Sequence, residues 1–167
     1  MASIVAALNT FLDNPRSASD TAQTVTDGTA SRVSMTLESK LESVTTVEDT
    51  ALDFAQRAGF DGDTASNLAM VAREAAVNAV LHGNKYDLHK HVTASFDLSQ
   101  DALTIKVADQ GQGLDPESIP DPLAAENLLR SSGRGVFLMR AFMDEVHFRQ
   151  LNPGTEITMV KRRPTAA

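Results

Sequence analysis

The stretch EAAVNAVLHGN, residues 74–84, decides how the rest of the chain is read. Its alanines, valines and leucine recur at helical spacing. Glu74, Asn78 and His82 stand four residues apart, so a helix places them along one stripe. A helix that only meets water has no need of an amide and an imidazole beside a carboxylate. The amide oxygen can reach a hard cation, and a carboxylate one turn away can orient or deprotonate a nucleophile. Taken alone, such a pair is more often a solvated face. His82 sits where the helix stops and reads as a capping or packing residue, which leaves it structural.

Working outward, Asp61 or Asp63 can cap this helix at its start, and His82-Gly83-Asn84 is a stop signal at its end. Before it, RVSMTLES from Arg32 alternates as a strand. Leu41 to Ala58 then brings Leu41, Val44, Val47, Ala51, Leu52 and Phe54 round at helical intervals, closed by Gly59. After it, HVTASFDLS and ALTIKVAD, joined by Gln100-Asp101, read as an antiparallel hairpin. About 25 residues rich in Pro and Gly follow, with a short helix expected around Leu123 to Leu129. VFLMRAFMDEV is an apolar helix, and VHFRQL and TEITMVKRR close the chain as two strands round Asn152-Pro153-Gly154. This order predicts an α+β fold, a two-layer α/β sandwich with helices on one face of a mixed, largely antiparallel sheet.

The 167 residues suit one domain with an extension. Residues 1–30 hold a short apolar piece, with Ile4, Val5, Leu8, Phe11 and Leu12 as either a candidate docking helix or an amphipathic turn or two that packs on its own domain. A Ser, Thr, Asp and Ala-rich run follows that buries too little to offset its ordering entropy, so the segment is expected to be a mobile extension. The domain itself is expected over residues 31–163, with 164–167 as a tail. Without cysteine there are no disulfides, thiolate metal sites or cysteine nucleophiles, in keeping with a reducing compartment. Fifteen basic against 22 acidic side chains leave a net charge of −7, which disfavours a nucleic acid partner. No run is long and apolar enough to span a membrane and no signal peptide is evident, so a cytoplasmic location is expected.

Two further strings carry possible chemistry. Asp109-Gln-Gly111-Gln-Gly113 follows a strand directly. It reads either as a strand-end turn or as a carboxylate that accepts from an exocyclic amine such as that of adenine, with glycines allowing close approach. Ser131-Ser132-Gly133-Arg134-Gly135 opens the helix expected from Val136. Glycine there is either punctuation or part of an anion site, where free backbone donors meet phosphate and Arg130 and Arg134 add charge. The chain has no P-loop and no G-x-G-x-x-G.

In this order, E-x-x-x-N on a helix, D-x-G-x-G after a strand, a long loop and S-G-x-G before a helix resemble the Bergerat ATP-binding fold of gyrases, heat-shock chaperones, mismatch-repair ATPases and histidine kinases. Within it, EAAVNAVLHGN, VADQGQGLDP, SSGRGVFLMRAFMDEV and GTEITMVKR are most similar to small anti-sigma-factor serine kinases of bacterial partner switching, over about residues 31–163. The resemblance implies ATP and Mg²⁺ as cofactors. It implies Asn78 on the metal, Glu74 as the catalytic base, Asp109 on the adenine amine, and Gly111 and Gly113 shaping the pocket. Arg130, Ser132, Gly133, Arg134 and Gly135 would lie at the phosphates under a lid over Leu114 to Ser132, and Thr155 would support the adenine end. It implies a protein serine/threonine kinase that phosphorylates an anti-anti-sigma antagonist protein, binds a sigma factor and forms a homodimer. Two alternatives are a non-catalytic ATP-binding partner switch and a detached histidine-kinase-type catalytic domain.

Overall fold

The structure is a computed structural model that describes residues 20–27, 30–113 and 131–165. Its strands are β1 (Thr21–Asp27), β2 (Ala30–Glu38), β3 (His91–Leu98), β4 (Ala102–Ala108), β5 (Glu145–Gln150) and β6 (Thr155–Arg162), and its helices α1 (Leu41–Arg57), α2 (Gly62–Val77) and α3 (Ser131–Phe142). A π-helical turn, Asn78–Gly83, continues α2. The sheet order is β1-β2-β3-β4-β6-β5. Every described pairing is antiparallel, so the expected mixed sheet is corrected to an antiparallel one. Between β2 and β3 the helices α1 and α2 form a hairpin, which returns the chain to the sheet running the opposite way.

Period-two alternation builds one apolar face. Val33, Met35 and Leu37 on β2, Val92, Ala94, Phe96 and Leu98 on β3, Leu103, Ile105 and Val107 on β4, and Ile157 and Met159 on β6 are all buried. The register aligns these positions into rows: Met35, Ala94, Val107 and Ile157 in one, Val33, Phe96, Ile105 and Met159 in the next. Against them α1 sets Val44, Val47, Ala51 and Phe54, and α2 sets Ala65, Leu68, Val71, Ala72, Ala75 and Ala76. The alanines allow α2 to lie close to its neighbours. The rings of Phe54 and Phe96 meet at 5.5 Å between centroids.

Arg163, just past β6, donates to the backbone oxygens of Ala58 and Ser99 at 3.0 Å each, which ties the end of α1 to the β3–β4 turn. Among the described residues no helix is long and apolar enough to cross a membrane.

The domain expected from residue 31 has a strand of its sheet before that point, at Thr21–Asp27. It pairs with β2 from Thr21↔Thr36 to Asp27↔Ala30. Its β-branched Thr21, Thr24 and Val25 suit extended backbone, but among its side chains whose burial is described only Ala22 packs against the core. The ladder holds this edge strand more than side-chain burial does. At its start the buried Asp20 accepts from the Glu38 amide at 2.9 Å. The candidate docking helix in residues 4–12, and the helix expected over 123–129, lie outside the described residues.

Candidate functional site

The site grows from α2. Asp61 caps the helix by accepting from the Thr64 amide at 2.9 Å and from the Thr64 hydroxyl at 2.8 Å, and these bonds hold its carboxyl below the usual range. Glu74 and Asn78, one turn apart at the far end, are both partly exposed. Beyond them the helix widens. The Asn84 amide donates back to the Ala79 oxygen, a five-residue span, at 2.8 Å. The wider turn breaks the expected stripe after Asn78. His82 is exposed, and it is Gly83 that meets the next part of the site.

That part is Asp109, directly after β4. Its amide donates to the Thr155 oxygen at 3.0 Å, and its Oδ1 accepts from the Gly111 amide at 2.9 Å. Three glycines crowd it. A Cβ at Gly83 would overlap the Asp109 carboxyl, one at Gly111 would fall on the Gly83 carbonyl, and one at Gly154 on the Asp109 carbonyl. Gly113 has φ of +88° and lies beside Gln150. Half-burial pushes the Asp109 carboxyl above its usual range, opposed by the backbone donors of Gly111 and Thr155 and by the charge of Lys90.

The third part is α3. The described helix already includes Ser131, five residues before the expected Val136, so Ser132 to Gly135 are helical and the expected boundary is corrected. Two glycines there cost about 1 kcal/mol each against alanine, while the buried Met139 and Met143 anchor the helix from its other end. Gly135 rests on the first motif: its Cβ position lies 3.3 Å from Glu74 Oε2 and 3.5 Å from Asn78 Nδ2. Arg134 is exposed, and Arg130 lies outside the described residues.

The structure thus brings Glu74, Asn78 and Gly135 together at one end, and Asp109, Gly111 and Thr155 together at the other. Glu74 and Gly83 lie nine positions apart along α2 and its π-helical turn, so the two ends of the site are separated by the length of that helical segment. A model of the histidine kinase-like ATPase domain matches residues 37–161, which takes in every part of the site.

This chain belongs to the histidine kinase-like ATPase domain family.

Serine-protein kinase RsbW of Bacillus licheniformis is 33% identical to it over 141 residues, 79% of this chain and 86% of the relative. RsbW of Bacillus subtilis strain 168 is 30% identical over 138 residues, again 79% and 86%. RsbW of Listeria monocytogenes is 26% identical over 136 residues, 78% and 86%. Each of these similarities covers more than three quarters of the chain rather than one motif.

Gly83, Gly154, Asn84 and Gln110 are contributors that sequence reasoning missed as site residues. The first three read as stop or turn signals, and the residues they pack against are distant in the chain. Gly154 carries a stability test. Its φ of +108° and the overlap at the Asp109 carbonyl both exclude a side chain. Gly154→Ala is expected to cost at least about 2 kcal/mol, seen as a fall in Tm of about 4–8 °C. Gly62→Ala, where nothing lies within 4 Å, is expected to leave Tm unchanged or slightly raised in the same melting experiment.

Proposed function

We propose that this chain is an ATP-dependent protein serine/threonine kinase and anti-sigma factor, which transfers the γ-phosphoryl group of ATP to a hydroxyl of an anti-anti-sigma antagonist protein and binds a sigma factor. The observation that carries the reading is the close packing of Gly135 on Glu74 and Asn78, since it sets the glycine-containing segment of α3 beside a carboxylate and an amide. The relatives named serine-protein kinase support the same chemistry.

In this reading Asp109 accepts from the adenine amine, while Gly111, Gly113 and Thr155 wall the purine end. The backbone amides from Ser131 onward, with Ser132 and Gly133, meet the phosphates, and Arg130 and Arg134 add charge there. Mg²⁺ fits the donor set. Among the described residues no three His, Cys, Asp or Glu side chains gather to hold a metal, and a single amide oxygen from Asn78 suits an ion that takes its other oxygens from phosphates and water. When bound, the ion neutralises charge on the triphosphate. The substrate hydroxyl oxygen attacks the γ-phosphorus, the bond to the bridging oxygen of the β-phosphate breaks, and ADP leaves. Glu74 orients the hydroxyl and receives its proton. Because the transition state is loose in most analyses, positioning and charge carry most of the rate and a carboxylate is base enough.

A cytoplasmic homodimer completes the proposal. The test is incubation with γ-labelled ATP and candidate antagonist proteins. Label on a serine or threonine of one of them supports the kinase. Nucleotide binding without transfer to any of them points to a switch that works by binding alone.

A further inference from the structure

Asn84 lies one residue past the π-helical turn and is 1% exposed. Its side chain uses both amide hydrogens and its oxygen. Nδ2 donates to Ser39 Oγ at 2.7 Å and to the His91 carbonyl at 3.0 Å, and Oδ1 accepts from the Gln110 amide at 2.8 Å. The orientation is fixed by its partners, because a flipped amide would set N–H against N–H and oxygen against the His91 carbonyl. Two further bonds brace the cluster. Gln110 Oε1 accepts from the His91 amide at 2.7 Å, and Ser39 Oγ donates to the Lys90 carbonyl at 2.7 Å.

What this cluster holds is the backbone beside Asp109. Residue 109 is tied on one side by its own amide to Thr155, and residue 110 on the other by its amide to Asn84. Gly83, the residue before Asn84, packs on the Asp109 carboxyl itself. Helix end, carboxyl and following loop therefore move as one body, with Asn84 Oδ1 as the side-chain link between the helix end and the loop. We infer that Asn84 is a positioning residue that aims the Asp109 carboxylate and so sets the preference for a purine with an exocyclic 6-amino group.

The inference rests on the proposed role of Asp109. Losing one buried hydrogen bond destabilises the fold whatever Asn84 positions, so the readout must be a ratio of affinities. ATP is compared with inosine triphosphate, in which oxygen replaces the 6-amino group, by titrating the full-length protein with each in the presence of Mg²⁺. The wild type is expected to favour ATP by about tenfold or more. In Asn84→Ala the Gln110 amide loses its partner, and the preference is expected to fall to within about threefold of unity. Asn84→Asp keeps an acceptor for Gln110. It is expected to melt lower than the wild type while holding the ATP preference to within about threefold of the wild-type ratio.

That pattern supports the inference. An alanine variant that weakens both nucleotides equally and keeps the ratio overturns it, because Asn84 then only stabilises the fold. Should the alanine variant not fold, the aspartate variant decides alone: a retained preference supports the inference and a lost one overturns it. A wild type without any preference removes the Asp109 reading itself, and the Asn84 inference with it.

Discussion

Glu74→Gln is expected to lower phosphoryl transfer to the antagonist protein by about 10²-fold or more, while the dissociation constant for ATP changes by no more than a few-fold. Glutamine keeps the size of the side chain and its contact near Gly135, where Glu74 Oε2 lies 3.3 Å from the Cβ position. It cannot accept the proton of the attacking hydroxyl. The measurement is single-turnover transfer of labelled phosphate alongside an equilibrium ATP titration. If both the rate and the affinity fell together, Glu74 would be part of the binding surface and the base would lie elsewhere. If neither changed, Glu74 would have no part in the chemistry.

Asp109→Ala is expected to weaken ATP binding by about 10- to 100-fold, the range for losing a hydrogen bond to a charged group, with a smaller loss for Asp109→Asn, which keeps an acceptor. A pH dependence follows from the same residue. Burial raises its carboxyl, so the proton is retained to a higher pH than in an ordinary aspartate. In the proposed role, the form that accepts from adenine is the carboxylate. ATP affinity is therefore expected to fall on acidification from above the usual carboxylate range, and the fall should be absent in Asp109→Ala. The linkage to folding has the opposite sign from the common case of a salt-bridged aspartate. A raised carboxyl favours the native state most below the unfolded pKa, and that contribution is lost as pH rises through the native one. Asp109 thus gives up some stability at neutral pH to stand ionised beside the pocket. Titrations of nucleotide binding and of Tm across the acidic range check both directions.

Much of the fold is legible because its signals are local and periodic. The alternation in RVSMTLES and ALTIKVAD, the helical spacing from Leu41, and the cap at Asp61 each state a conformation and the face that is buried. β1 was not legible in the same way. TAQTVTD offers almost nothing to the core, and its order comes from backbone pairing with β2, a partner that residue patterns alone do not name. The π-helical turn was hidden for a related reason. Four-residue spacing is all that a sequence displays, and the widened register that sends His82 outward and Gly83 inward depends on the close approach to Asp109. The side chains proposed to carry the chemistry, by contrast, stood out at Glu74, Asn78 and Asp109 because those residue types are unusual in such places. Their supports, Asn84, Gly83 and Gly154, resembled ordinary punctuation until the contacts across 26 or more residues between Asn84 and Gln110 or Gly83 and Asp109 were visible.

The proposed nucleotide site joins α2, the end of β4 and the described end of α3 nearest Glu74. Calorimetric titration of the full-length protein with ATP, with and without Mg²⁺, tests it most directly. A saturable heat at one nucleotide per chain, strengthened by Mg²⁺ and weakened in Asp109→Ala, is the expected result. No heat of association with ATP and Mg²⁺ at about millimolar ligand, a concentration at which even binding of about −4 kcal/mol half-saturates a site, would contradict it.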